Sequence, residues 1–436
     1  MRYDGGVILF ALACTSSRVI ASGTPDPEAT LTGDTAEEGL PGDSAGSTDT
    51  GDTAADPPKV EQTVPAQVTL DCPGAIPADT SITCTFTATS PDWPDGSVST
   101  AAELSLRGRS SSSFPKPQYK VTFVDDAGAS APVELFGMGR ESDWVLNGMW
   151  IDRAMIRNKL AWDLFNELAK GVDHAPESIY TELTLDGDYR GVYLLNQMVD
   201  HDASRLDFAD DDGTGSRFIV SADEDGFTSN VQYGHWKIDY PPTSQQTREV
   251  KAGVQDGIAA WEAKITGAGD PFDLMDLDSF VLFILTEEFM KNNDGYFLSH
   301  RVWRGDDGLL RMVPWDLDLT LGQPSYNDNE NPKSWIQYRT EMVTGSETTA
   351  FQSALEARWA DARKDVLATD AVIARIEHQR AVMGDATARN WARWDITTVD
   401  FSGYLYPVSS SDQEFDLVEA WVKKRLDWMD DNVASF

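Results

Sequence analysis

The chain has 436 residues, 41% of them hydrophobic and 14 of them Trp, enough for one large packed domain or two ordinary ones. Its formal net charge of −37 argues against nucleic acid or an anionic membrane surface as partner, since either would repel it, whereas metal ions and cationic partners are compatible. Residues 1–59 hold ten acids against three bases, so about −30 remains on the rest of the chain.

The first fourteen residues, MRYDGGVILFALAC, carry Arg2, an apolar run from Val7 to Ala13, and Cys14 directly behind Ala-Leu-Ala. They resemble a bacterial lipoprotein signal, in which the cysteine is lipidated, although Asp4 and the shortness of the apolar run depart from that pattern. This reading implies an exported protein, on a bacterial cell surface or in the periplasm, that meets a membrane only through a lipid anchor at Cys14. Residues 15–59, rich in Asp, Thr, Gly, Ser and Pro, are expected to form a disordered acidic tether, because they have too few large apolar side chains to offset the entropy of ordering. Residues 60–100 alternate in short β-like runs and are expected to form a β-rich extension. Cys72 and Cys84 lie there on either side of a Pro/Gly turn, and in an exported protein a disulfide is the favoured state for them.

From 101 onward the runs AELSLRG and YKVTF continue the strand pattern, and between them lies RGRSSSSFPKPQYK, a basic island in an acidic chain. Arg107, Arg109, Ser111, Lys116 and Lys120 could grip phosphate oxygens through cations and backbone donors, although a solvated turn would have the same composition. The spacing is not that of a Walker A loop. Arg153 to Lys170 has the apolar spacing of a helix and opens with a second basic cluster, Arg153, Arg157 and Lys159. Asp186-Gly187 predicts a hairpin turn. Helices are expected over Thr247 to Ile265 and Leu277 to Lys291, and mostly helix from Trp335 on. No segment beyond the N-terminus has the roughly 18 apolar residues of a membrane span.

Between these helical regions lies DGYFLSHRVWRGDDGLLRMVPWDLDLTLG, starting at Asp294. The run LLRMVPW reads as a strand, so Asp316 and Asp318 at its end would point to one side and could hold a hard cation such as magnesium. An Asp-x-Asp that merely closes a strand with a turn would look the same. Phosphate-gripping cations upstream and metal-binding carboxylates downstream are two halves of a phosphoryl-transfer site, and Asp294 is the candidate for the acid near the acceptor hydroxyl. Strands first, a mixed middle and helices last make the fold class α+β.

The order of these motifs resembles the CotH kinase family. The similarity comprises RGRSSSSFPKPQYKVTF; Asp143, Trp144 and Leu146, then Asp152, Arg157 and Asn158; Gly187, Tyr189, Gly191, Val192 and Tyr193; Lys291 to Tyr296; Pro314 to Asp318; and Arg358-Trp359 with Trp421 to Asp430. It runs from about residue 100 to the C-terminus, so that residues 101–436 would form the kinase domain. The resemblance implies an atypical kinase-like fold of two lobes, β-rich at the N-terminal side and helical at the C-terminal side. It also implies ATP with Mg²⁺ or Mn²⁺ as cofactors and protein Ser or Thr as acceptor, the protein's own tether among the candidates. Asp294 would be the catalytic base, Asp316 the main metal ligand and Asp318 the second, with Arg107 and Lys116 on phosphates. Gln197 and Ser221 stand where the family often has Glu and Ser299 where it often has Asn, and Asp223 and Lys237 lie close enough in sequence to supply substitutes. These departures favour a second reading, a catalytically silent surface binding or assembly protein; a third, a carbohydrate-active enzyme, would use paired carboxylates and Trp platforms.

Overall fold

The computed structural model describes residues 61–108, 111–223, 225–232, 234–267, 269–323, 328–337, 339–394 and 408–436; the signal-like segment, the tether and Arg109 lie outside them. In chain order the strands are β1 Ala66–Asp71, β2 Ile82–Thr89, β3 Ser97–Arg107, β4 Gln118–Phe123, β5 Val133–Glu134, β6 Arg140–Glu141, β7 Asp143–Asn147, β8 Ser178–Leu185, β9 Asp188–Gln197, β10 Phe218–Asp223, β11 Phe227–Thr228, β12 His235–Tyr240, β13 His300–Arg304 and β14 Leu310–Pro314. The helices are α1 Arg157–Ala169, α2 Arg248–Thr266, α3 Leu277–Met290, α4 Glu341–Thr344, α5 Thr349–Ala362, α6 Thr369–Met383, α7 Asp385–Arg393 and α8 Ser411–Asn432.

Strand alternation builds the first core. In β4, Tyr119, Val121 and Phe123 turn inward and Lys120 outward; in β2, Cys84, Phe86 and Ala88 turn inward. Seven strands in the order β1-β2-β3-β4-β7-β9-β8 close a barrel around them, with Phe86 edge-on to Phe123 at 5.0 Å and Trp144 fully buried. The closing contact is the parallel pairing of β1 with β8, Ala66 opposite Thr181. Residues 66–100 are therefore staves of this barrel, and the boundary expected between 100 and 101 runs through β3. The Cys72–Cys84 disulfide joins the end of β1 to β2.

A second, larger core holds a five-stranded antiparallel sheet, β11-β12-β10-β13-β14, together with the helices. At its centre is α3, whose residues from Ser279 to Met290 are all buried, as expected of a helix apolar on every side. The fold is α+β as expected, but strand structure is not confined to the N-terminal part, because this sheet packs with the helices.

Local signals explain where elements begin. The Asp186-Gly187 hairpin is present, both residues having positive φ (51° and 78°), as a type I′ turn requires. Thr247 and Asp276 cap α2 and α3 through their side chains. The helix expected from Arg153 starts instead at Arg157. Met155 takes a left-handed φ of 60°, and the Asp152 carboxylate accepts the N–H groups of Met155 and Arg157 at 3.0 and 2.8 Å, ending the preceding loop there.

Candidate functional site

The segment after β14 carries Asp316 and Asp318. The strand ends at Pro314, and Asp316 has a left-handed φ of 56°, which Asp adopts more readily than most residues. The two carboxylates thus sit on a turn beyond the strand, and strand pleating does not set their direction. Four hydrogen bonds hold the turn: Trp315 N–H to Ser299 O (2.9 Å), Leu317 N–H to Asn158 Oδ1 (2.7 Å), Thr320 Oγ1 to Leu317 O (2.6 Å) and Leu321 N–H to Met290 O (3.0 Å).

Arg157 supports this turn from behind. Its Nε donates to Thr320 O at 2.8 Å, while its guanidinium pairs with Asp152 at 2.5 Å and with Glu414 of α8 at 3.0 Å; all three side chains are buried. This burial directs Arg157 to the interior and not to an open phosphate position.

The loop after α3 carries Asp294. Lys291 ends the helix in a left-handed conformation, and its buried ammonium donates to Asp328 O, Asn331 O and Ser334 Oγ, fixing the 328–334 segment beside it. His300 Nδ1 lies 2.9 Å from Gly295 O and 3.0 Å from Leu298 O, and Asp294 O accepts the N–H groups of Phe297 and Leu298. His300 is held neutral, its pKa pushed down to about 4 by burial, so it organises the loop without charge.

The two loops and the start of α1 bring four carboxylates into one another's field. Burial pushes the Asp318 carboxyl well above the usual carboxylate range, and the charges of Asp316, Asp152 and Asp294 add to the rise against the opposing Arg157. Asp316 is open to solvent, and the charges of Arg107 and Arg301 favour its ionised form. Asp318, two residues on, is buried. Among the described residues no three carboxylate, imidazole or thiolate side chains are grouped so as to hold an ion by themselves.

Cations stand beside the Asp316 turn. The guanidinium of Arg107 stands 5.3 Å from the Trp315 ring and that of Arg301 5.1 Å from it. The Arg107 pKa is drawn down to about 10 by burial and by Arg301, with Asp316 and Asp239 acting the other way. Arg301 also pairs with Asp239 at 3.2 Å. Lys237 is exposed, 3.9 Å from Asp223, and lies in register with Ser221 and Arg301 across β12, β10 and β13, so the three share a face of the sheet.

The remaining expected residues are placed differently. Lys116 is buried, its ammonium donating to Val192 O and to Asn390 Oδ1 (2.9 Å), and burial lowers its pKa well below that of a free lysine. Lys120 faces outward from the barrel and pairs with Asp143 at 3.0 Å. Ser111 lies in the short turn after β3. Of the departures, Gln197 is a buried link: its Oε1 faces His174 Nε2 (2.8 Å) and accepts Glu177 N–H (2.9 Å), and its Nε2 donates to Met138 O (2.6 Å). Sequence reasoning gave no role to Asp152, Arg301 or Glu287. Asp152 is named there only as part of the family pattern, Arg301 lies beside residues picked for other reasons, and Glu287 is detectable only as one of two adjacent acids near the end of a largely apolar helix.

The model of the family described as CotH kinase protein matches residues 104–429. The inner spore coat protein H of Bacillus subtilis (strain 168) is 25% identical over 244 residues, which make up 52% of this chain and 60% of that protein. The chain therefore spans less than two thirds of that relative's length.

Proposed function

The chain belongs to the CotH kinase protein family, and from that premise we propose that it transfers the γ-phosphate of ATP to Ser or Thr hydroxyls of surface or secreted proteins in a metal-dependent reaction. The observation that carries this reading is the convergence of Asp294 with Asp316 and Asp318, bordered by Arg107 and Arg301.

The donor set suits a hard divalent cation. Magnesium is commonly held by one or two carboxylates, with phosphate oxygens and water completing its shell, so a pair of crowded aspartates without a third protein ligand is an adequate site. Asp316 and Asp318 would hold Mg²⁺ or Mn²⁺, which when bound would supply charge neutralisation to the transferred phosphoryl group. Arg107 and Arg301 bind phosphate oxygens, and Lys237 extends the basic edge toward the nucleotide. Asp294 accepts the proton of the acceptor hydroxyl. Lys116 and Arg157 act from behind, fixing β9 to α7 and α1 to the metal-bearing turn.

The location is proposed on the signal-like N-terminus and on the printed name of the relative: an exported or cell-surface protein, anchored through Cys14, with the Ser/Thr-rich tether as one accessible acceptor. A second reading, a silent relative that binds nucleotide without turnover, is favoured by the burial and prior engagement of Lys116.

The deciding experiment is transfer of labelled γ-phosphate with Mg²⁺ or Mn²⁺ by the parent and by Asp294→Asn and Asp316→Ala. Transfer lost in both folded variants supports the kinase. Metal-dependent ATP binding without transfer, removed only by Asp316→Ala, selects the silent relative.

A further inference from the structure

Two glutamates stand side by side near the end of α3, and their surroundings are opposite. Glu288 is fully used: its carboxylate accepts the Tyr296 hydroxyl (2.8 Å), the Ile336 N–H (3.0 Å) and the Arg425 guanidinium (3.1 Å). Glu287 is just as deeply buried, with no exposed surface, yet among the described residues it has no cation or backbone N–H like those on Glu288, and the polar side chain set against its carboxyl is the Asn292 amide, outside ideal hydrogen-bond geometry. That amide, itself buried beside it, is the side-chain group that eases its burial. Poorly satisfied buried polar groups are rare and cost on the order of 1–3 kcal/mol, so a sequence keeps one where it has a use.

The position of Glu287 suggests that use. Its carboxyl lies directly under Gly295, where a Cβ would collide with Oε2. Gly295 is not among the positive-φ glycines, so the requirement for glycine there comes from this close approach and not from backbone conformation. Gly295 follows Asp294, and the turn that contains both is closed by Gly295 N–H to Asn292 O at 3.0 Å. The Glu287 backbone carbonyl accepts Asn292 N–H at 3.0 Å, so main chain and side chain of one residue both abut the turn.

We propose that Glu287 is the positioning residue of the Asp294 turn: its carboxyl, seated against Gly295 and next to Asn292, sets where the Asp294 side chain stands. This deepens the proposed kinase reading and rests on it. Supporting the geometry, burial pushes the Glu287 carboxyl well above the usual carboxylate range, the Asn292 side chain eases it, and the charges of Glu288 and Asp294 raise it further. Glu287 thus fills its place as an uncharged acid, which an amide of the same shape reproduces.

The test uses the full chain and Glu287→Gln, Glu287→Leu and Glu287→Ala. Glu287→Gln should keep kcat within about 3-fold of the parent, while Leu and Ala should lower kcat by about 10- to 100-fold and leave the KM for ATP nearly unchanged, because the displaced group serves the acceptor and not the nucleotide. Glu287→Leu should be at least as resistant to urea as the parent, separating activity from stability. Amide hydrogen exchange across residues 292–298 should quicken in Leu and Ala but not in Gln. Parental kcat in Glu287→Leu, or a folded Glu287→Gln as impaired as Ala, would overturn the proposal. If the parent itself transfers no phosphate, the kinase reading fails separately, and the exchange pattern alone decides: unchanged exchange in Leu and Ala refutes the positioning role.

Discussion

Asn158, in the first turn of α1, accepts the N–H of Leu317 at 2.7 Å, so the residue between the two candidate metal ligands is held by a helix 159 residues earlier in the chain. Asn158→Ala should leave that N–H unsatisfied, costing about 1–3 kcal/mol of stability, and should weaken Mn²⁺ binding because the turn loses its anchor. Urea unfolding and calorimetric Mn²⁺ titration read the two effects; unchanged Mn²⁺ affinity in a destabilised variant would separate the anchor from the metal.

Arg157 holds two buried carboxylates, Asp152 and Glu414, at once. Arg157→Met strands both and should cost about 3–5 kcal/mol. Adding Glu414→Met should restore part of that loss, since one of the stranded charges is then gone. Denaturant midpoints of the single and double variants check the order.

Asp173 accepts the Ser279 hydroxyl at 2.5 Å and the Trp303 indole N–H at 2.8 Å, yet burial pushes its pKa up to about 7 from the ordinary 3.8. The native state therefore holds this proton more tightly than the unfolded chain does. The stabilising contribution is full below 3.8, is lost as pH rises toward about 7, and changes no further above that. The stability of the parent relative to Asp173→Asn should fall across this window. A difference that stays level would show that Asp173 does not titrate there.

His300 has the opposite sign. Its folded pKa of about 4 lies below the ordinary 6.5, so its contribution is present above 6.5 and is lost as pH falls toward 4. An NMR titration of the imidazole should show a midpoint near 4, and protection of the 295–298 amides should decline over the same range.

The long helices were legible because their apolar spacing and caps are local: Thr247 and Asp276 mark the starts of α2 and α3 in the sequence itself. The start of α1 was less so, since the Asp152 cap and the left-handed Met155 outweigh the periodicity that runs back to Arg153. Asp294, Asp316 and Asp318 could be singled out as acids set in apolar surroundings. The turn that carries Asp316 and Asp318, however, depends on a left-handed residue that strand pattern does not reveal. Lys116 and Arg157 read as surface cations until tertiary structure supplied Val192, Asn390, Asp152 and Glu414 around them. Arg301 gains its place only through the β10–β13 pairing, which joins residues about 80 positions apart.

The family match begins at residue 104, inside β3, whereas the barrel is closed by β1 and β2, which lie upstream of it. A fragment cut to the matched residues would lose the partner of β8 on one side and of β3 on the other, baring two rows of unsatisfied backbone donors and acceptors. Such a fragment would self-associate edge to edge, and its insolubility on expression would say nothing about the chemistry of the intact protein.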